Sequence, residues 1–346
     1  MFKEIFEGLM KDTFAKIAFF VLCFLYFALA FANFIAPYDK DFSDRSLAYA
    51  PPSKIFTIDE NGKISRPYTY NYKRSFDDVN FNIYQVDRSQ KYYLKFFSKG
   101  YDEKFHLITT DKGGQLFLLG TDINGRDVFS RILFGGRISM TIGFLALFVL
   151  FPIGMLYGGI SGYFGGKIDA IMMRIAEGIM SIPSFYLLII LASILPAGMS
   201  SIQRFMLIVV ILAFIGWAGF ARVVRGMVLS IKNQEFVQSA KSIGASDFRI
   251  ITRHILPQTT SFIIVAITLS IPSYILSESG LSFLGLGIQQ PDASWGNMLK
   301  EAQVFSNIIY RPWLLTPGFL IFIAVLSFNL VGDTIRDILD PKSKIR

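Results

Sequence analysis

Glu235-Phe-Val-Gln-Ser-Ala-Lys-Ser-Ile-Gly-Ala-Ser-Asp-Phe-Arg-Ile-Ile-Thr-Arg-His-Ile-Leu-Pro257 is a charged, helix-patterned island between two long apolar segments. Those segments, 205–224 and 258–284, are nearly free of charge, and so are 16–36, 138–164, 175–196 and 312–333. A helix crossing a hydrocarbon core of about 30 Å needs about 20 residues at about 1.5 Å each, and each of the six qualifies. The chain has 346 residues, 52% of them hydrophobic and only 17% charged, with 35 phenylalanines. Its mean hydropathy is +0.46. That balance excludes an ordinary soluble domain of this size, and the fold class is an all-α polytopic membrane protein with six transmembrane helices. No small-residue cleavage site follows Ala36 and five more spans come after it, so 16–36 reads as an anchor rather than a signal peptide. The island then protrudes from one membrane face, placed to dock a partner.

Cations set the expected orientation. With both termini cytoplasmic, the short inner segments hold Lys3, Lys11, Lys16, Lys167, Arg174, Arg222, Arg225, Lys232, Lys241, Arg249, Arg253, Arg336, Lys342, Lys344 and Arg346, against Arg204, Lys300 and Arg311 in short outer loops. Arg126, Arg131 and Arg137 fall outside, at the end of a long loop where the charge rule loses force. The formal charge of +8 is then mostly topology and attraction to anionic lipid, and nucleic acid is the poorer partner. Cys23 is the chain's single cysteine, which rules out an internal disulfide framework or a thiol metal site.

Residues 1–15 alternate apolar and charged positions at helical spacing, as a helix lying in the inner interface does. Residues 37–119, between the first two spans, read as a small β-rich external insert. Within it, Ile55–Ile64 has the pattern of a hairpin turning at Asn61-Gly62, and the alternation of Tyr68, Tyr70 and Tyr72 with the later Tyr84, Tyr92, Tyr93, Phe96 and Phe97 implies further strands. These aromatics read as the insert's own core in preference to a partner surface. Gly154, Gly158 and Gly162 share one face of the second span and admit a neighbouring helix closely. Glu177 and Glu278 lie at or near membrane depth; they either line a substrate path or proton relay, or are solvated at span ends. With only His106 and His254, and no nucleophile elbow or zinc-protease motif, hydrolysis has little support. No metal site is expected.

The island itself resolves into two short helices. Asn233 is placed to cap the first, whose Phe236, Val237, Ala240 and Ile243 share a stripe, and Gly244 supplies a left-handed stop. Ser246 is placed to cap the second, carrying Phe248, Ile251 and Ile255, which Pro257 ends before the fifth span. Such a pair makes either a rigid knob for a groove on another protein or a loop folded back onto the membrane surface.

Gly244 with Ile255-Leu256-Pro257 resembles the coupling loop of ABC importer permeases, in which an EAA triplet precedes the glycine; here that position reads Gln238-Ser239-Ala240, with Glu235 three residues upstream. Three further blocks are similar to the C-type subunit of the dipeptide and oligopeptide importers. They are Leu119-Gly-Thr-Asp-Ile-Asn-Gly-Arg-Asp-Val-Phe-Ser-Arg131 with Gly136-Arg137, Ser277–Pro291 with Ser294-Trp-Gly-Asn-Met-Leu299, and Asn329–Pro341. The likeness covers 119–341, and Glu177 stands where the family commonly has Asp.

Read from their residues, Asp122 and Asp127 lie within reach of Arg126 and Arg131 on a short external helix, Gly280, Gly285 and Gly287 permit tight packing at the fifth-span exit, and Asp333, Arg336 and Asp337 are spaced to pair. Asp340-Pro341 ends the last helix.

The resemblance implies the type I ABC importer permease fold, divided as 1–15, an interfacial helix, 16–36, the first span, 37–119, the insert, 120–341, the permease core, and 334–346, a cytoplasmic tail. Within the core it sets a coupling loop at 233–257 and an external loop at 285–311. It further implies a bacterial inner-membrane location with 37–137 periplasmic, and an ATP-driven importer of di- and oligopeptides in which this chain forms half the path. The partners are a second permease subunit, two ATPase subunits that hold ATP and Mg, an external solute-binding protein and the bilayer. Coupling would fall to Glu235, Phe236, Gln238, Ser239, Ala240, Gly244, Ala245, Ser246, Asp247, His254, Ile255, Leu256 and Pro257. Path or gate would fall to Glu177, Glu278, Ser279, Gly280 and Ser282. The chain binds no cofactor on this reading: Gly166-Lys167 is not a phosphate loop, because position 161 is Ser and Ile168 follows. Alternatives are a permease of the same family for nickel chelates or other small solutes, and a proton-coupled transporter using Glu177 and Glu278.

Overall fold

The computed structural model describes residues 1–59, 62–76, 82–100, 102–196 and 198–339. Its helices in order are α1 (Phe2–Lys11), α2 (Thr13–Ala30), α3 (Ala32–Ile35), α4 (Val128–Phe164), α5 (Gly166–Met180), α6 (Ser184–Ser193), α7 (Ser201–Ile231), α8 (Glu235–Ser242), α9 (Asp247–Arg249), α10 (Thr260–Phe283), α11 (Trp295–Leu299), α12 (Phe305–Tyr310) and α13 (Thr316–Leu339). Between α3 and α4 lies the β insert. Its strands β1 (Phe56–Ile58), β2 (Ile64–Phe76), β3 (Asn82–Lys99) and β4 (Phe105–Thr110) form an antiparallel meander in chain order.

Among the described residues, five helical stretches are long and apolar enough to cross a membrane: 13–30, 128–164, 201–231, 247–283 and 312–339. The expected span at 175–196 is instead the pair α5 and α6, bent by 76°. Pro183 causes the break: it has no N–H for the carbonyl a turn earlier, and its ring closes off continuation of α5. Six crossings result when the pair counts as one.

Other boundaries differ because charge ended the apolar windows where it did not end the helices. α4 starts at Val128 rather than 138, since Asp127 caps it by accepting the Ser130 N–H at 2.7 Å and hydroxyl at 2.6 Å. α7 starts earlier than 205 because Ser200 and Gln203 close a reciprocal capping box. Nor is there a break at Pro257. A π-helical turn, Ile250–Ile255, and a 3₁₀ turn, Leu256–Thr259, carry the chain from α9 into α10, the Leu256 N–H reaching back five residues to Ile251. The wider turn accommodates a proline that would otherwise collide with the preceding backbone.

The chain divides into two compact units: 1–22, 141–281 and 323 onward form the first, and 23–140 with 282–322 the second. In the first, the glycine face of α4 meets α7 as expected. A Cβ on Gly162 would stand 2.8 Å from the Arg225 carbonyl oxygen, and one on Gly154 would stand 3.3 Å from that of Trp217. α1 buries Ile5 and Leu9 and sets Gly8 against Ile338 of α13. Among the described residues, Asp333, Arg336 and Asp337 form no ion pair with one another; Asp340-Pro341 lies outside the described residues.

In the second unit, Leu47, Ala50, Tyr72 and Phe117 make a core joined by Tyr38 and Phe42. Tyr68, Tyr70 and Tyr72 are buried, with Tyr68 and Tyr70 against Phe56, and Tyr72 donates to the Pro52 carbonyl at 2.8 Å. The insert thus has its own aromatic core, with Tyr93 at its edge against Tyr68, but Phe96 and Phe97 are exposed and do not belong to it. Ile58 pairs with Ile64 across the expected hairpin; Asn61 lies outside the described residues.

Segment 121–127 is not a short helix. It is a tight loop closed by a Thr121–Asp127 bridge, with Gly125 at φ 68° and its Cα against the Asp44 backbone. Asp122 takes Arg126 Nε at 2.7 Å and Arg131 Nε at 3.5 Å, which is the expected charge cluster. Asp127 is spent on the cap. The expected external loop holds α11 and α12, where buried Trp295 donates to the Ile132 carbonyl at 3.0 Å. Gly287 lies against the Ser282 backbone, a Cβ there falling 2.6 Å from its nitrogen, and Gly285 has φ 80°.

Candidate functional site

The island forms a knob with a packed base and an apolar tip. Val237 and Ala240 of α8 face Val224 and Val228 of α7 and Ile250, Ile251, Ile255 and Leu256 of the π and 3₁₀ turns. The remaining apolar side chains point away: Phe236 is 36% exposed, Phe248 66% and Ile243 86%. The expected stripes therefore split: Val237 and Ala240 pack inward while Phe236 and Ile243, from the same stripe, do not, and the turn at Gly244, φ 78°, closes through Gly244 N–H to Lys241 O at 3.0 Å and Ala245 N–H to Ala240 O at 3.1 Å. Gln234, not Asn233, holds the N-cap position of α8, and neither it nor Ser246 makes a side-chain cap bond.

Of the predicted coupling residues, Glu235, Phe236, Gln238, Ser239, Gly244, Ser246, Asp247 and Pro257 are at the surface, Ala245 and His254 are half-buried, and Ala240, Ile255 and Leu256 belong to the base. Glu235 lies in the first turn of α8, where the helix dipole favours an acid.

One polar link ties the knob itself to α4, and two more brace the helices beneath it. Tyr163 donates its hydroxyl to Asp247 at 2.6 Å. Lys232 Nζ donates to the carbonyls of Gly162 at 2.9 Å and Tyr163 at 3.3 Å, in the last turn of α4 where carbonyls lack helical partners. Asp169 of α5 accepts Arg225 Nε of α7 at 3.0 Å, a second nitrogen of the same guanidinium, and the Ser161 hydroxyl of α4 at 2.5 Å. One carboxylate thus joins three helices under the knob.

Further along, α6, α7 and α10 enclose a cleft of about 230 Å³. Phe185, Leu188, Leu212 and Ile215 give it apolar walls; Ser184, Ser270, Ser273, Tyr274 and Ser277 supply hydroxyls. Ser270 and Ser277 donate back to Ala266 and Ser273 carbonyls at 2.6 and 2.7 Å, so their oxygens remain as acceptors.

The predicted path residues are only partly at this cleft. Gly280 borders it, a Cβ there falling 3.7 Å from Phe185. Glu278 is fully buried with the Ser279 hydroxyl at 3.5 Å. Ser282 accepts the Ile288 N–H at 3.0 Å. Glu177, whose side chain is 46% exposed, pairs with Arg174 at 3.6 Å and does not line the cleft.

The family model described as binding-protein-dependent transport system inner membrane component matches residues 128–345, more than half of the chain. The chain belongs to this family. It is a multi-pass inner-membrane permease, and a second model, the N-terminal TM domain of oligopeptide transport permease C, matches residues 1–52. The permease is 46% identical over 225 residues to the dipeptide transport system permease protein DppC of Bacillus subtilis, covering 64% of this chain and 68% of the relative. It is 42% identical over 226 residues to the oligopeptide transport system permease protein OppC of Haemophilus influenzae, covering 65% and 70%. It is 42% identical over 227 residues to the glutathione transport system permease protein GsiD of Pectobacterium atrosepticum, covering 65% and 73%. Between the two family matches lie residues 53–127, which hold all four strands of the insert.

Two parts of the permease's site lie outside the motifs legible in its sequence. The hydroxyl row has a visible signal, since Ser270, Ser273 and Ser277 recur at helical spacing within an apolar span. The Asp169–Arg225 link has a weaker one: a lone acid in a short turn, with its cation 56 positions away.

Proposed function

We propose that this permease is the membrane-spanning subunit of an ATP-driven importer of di- and oligopeptides, forming half of the path and receiving motion through residues 233–257. Both termini face the cytoplasm on this reading, and 37–137 face the periplasm, in line with the cation bias. The carrying observation is the knob: three large apolar side chains presented outward on a base that is fully packed. Such a tip has the character of an interface anchor, and ATPase subunits holding ATP and Mg are its partner. A second permease subunit completes the path, and an external binding protein delivers the solute. The ATPases drive the cycle only by binding one permease conformation more tightly than the other.

Peptides are favoured as cargo over nickel chelates for two reasons. The relatives are named for dipeptide, oligopeptide and glutathione transport. The cleft between α6, α7 and α10 offers hydroxyls to a peptide backbone and apolar walls to varied side chains. A proton relay through Glu177 and Glu278 lacks geometric support, because Glu177 sits beside Arg174 off the cleft.

The test is Ile243→Asp and Phe248→Asp, both at the tip, in cells taking up a labelled dipeptide. Loss of an interface anchor costs about 2 kcal/mol or more, so ATPase retention on the purified permease should fall about 30-fold and uptake with it. Membrane insertion should be unchanged. Full ATPase retention with both substitutions would overturn the docking role.

A further inference from the structure

In the second unit the first span ends against the β insert. Arg137 of α4 donates through Nε to the Leu29 carbonyl at 2.6 Å, and through its terminal nitrogens to the Ala30 carbonyl at 3.0 Å and Asn33 Oδ1 at 3.1 Å. The last carbonyls of α2 are thereby held by a guanidinium, at the depth where a membrane helix reaches the headgroups. Phe27 and Phe31, with ring centres 4.6 Å apart, are at least half exposed. Beyond them Phe34 meets Phe97 of β3 at 5.9 Å, and Phe97 is 67% exposed. The outward aromatic row of the span therefore continues onto the insert, as in an interfacial aromatic belt.

Beside the row lies a cleft of about 290 Å³ whose lining includes Lys40, Lys104, Asp39, Asp102, His106 and Arg137. Buried His106 fixes its floor, bonded through Nδ1 to the Ala36 carbonyl and through Nε2 to Asp102 Oδ1 at 2.7 Å. Lys104 Nζ reaches Asp39 at 2.7 Å and Asp102 at 3.6 Å; Lys40 Nζ reaches Asp292 at 3.5 Å. Both lysines are more than half exposed, and pairs this exposed are weakly held. They exchange readily for a phosphate oxygen.

We propose that this cleft holds the headgroup of a phospholipid from the leaflet in which α2 ends. Its phosphate lies between Lys40 and Lys104, and its acyl chains run along Phe31, Phe34 and Phe97. Asp39 and Asp102, set among the cations, select an ammonium-bearing head of the phosphatidylethanolamine class over a purely anionic one. The volume is at the small end of the about 300–1,000 Å³ usual for ligand clefts, the size for a headgroup with its chains outside. A soluble phosphate would meet the same lysines but gain nothing from the rings. The inference uses only the crossing of the membrane by α2, and holds whichever solute is carried and whichever side α2 ends on.

The assembled transporter, in nanodiscs containing phosphatidylethanolamine and phosphatidylglycerol, tests this by native mass spectrometry. The wild type should retain a phosphatidylethanolamine that Lys40→Ala/Lys104→Ala loses about tenfold more readily, and excess inorganic phosphate should leave it in place. Equal retention by wild type and variant, or displacement by phosphate, overturns the proposal. A second measurement does not depend on the double variant folding. Phe97→Trp in proteoliposomes should add fluorescence that chain-brominated phosphatidylethanolamine quenches, and an unquenched signal overturns the proposal equally.

Discussion

Asp127 and Glu301 sit in the second unit near Asp122, and burial pushes each carboxyl up to about 7, with the Asp122 charge adding to the rise. An unfolded chain loses these protons near pH 4. Between about pH 4 and 7 the folded state therefore holds protons that the unfolded state has released, and stability falls as pH rises through that window, then levels off. Glu301 accepts the Ile123 N–H at 3.0 Å, which glutamine can also do. Glu301→Gln should therefore flatten the decline and stabilise the permease at neutral pH by roughly 1–2 kcal/mol. Melting curves of both proteins at a series of pH values check this, and parallel curves would count against it. Asp127 also shows what a sequence leaves hidden at this scale: its spacing from Arg126 and Arg131 marks a charge cluster, yet the carboxylate serves as a helix cap, which only the local turn decides.

At the scale of elements, the knob separates residues that hold its shape from residues left outward for the proposed partner. Ile255 is fully buried and Ile243 is 86% exposed, although each lies on an apolar stripe of the island. Ile255→Ala should cost about 2–5 kcal/mol of stability, whereas Ile243→Ala should stay within about 0.5 kcal/mol and weaken only ATPase binding. Denaturation of the two variants alongside ATPase retention distinguishes the roles. Periodicity located this element and its glycine stop, because helical spacing and a left-handed turn are local properties. It did not divide tip from base, since that depends on which side α7 occupies. The bend between α5 and α6 and the passage through Pro257 were equally out of reach: one proline breaks a helix and the other is absorbed by a π turn, a difference set by surrounding packing rather than by proline itself.

Over the whole molecule, the number and rough position of apolar segments were legible because the bilayer demands a length that few other environments do. The helix ends were not, because capping and ion pairing carry α4 and α7 past their charged residues. The insert was legible as β structure from its alternating tyrosines, but the rings of β3 that it leaves outside had no local mark. With Cys23→Ser as background, cysteine at Ser53 should react with a membrane-impermeant maleimide in intact cells and cysteine at Ser239 only after lysis; the reverse pattern would invert the proposed orientation. Removing 53–113 should lower uptake while ATPase retention stays within about twofold, because the docking knob belongs to the other unit. Unchanged uptake would leave the insert without a transport role.

The uninterrupted passage from Phe248 to the hydroxyl row has a mechanical corollary. Some 24 residues separate Phe248 from Pro272, about 36 Å of rod at helical rise. Its near end is clamped by Ile250, Ile251 and Ile255, all buried, so a push there is transmitted rather than absorbed. Past the π and 3₁₀ turns around Pro257, the next proline it meets is Pro272, between Ser270 and Ser273. On the proposed docking role, a nudge applied outside the bilayer would be delivered, like the throw of a crank, at the wall where cargo would rest.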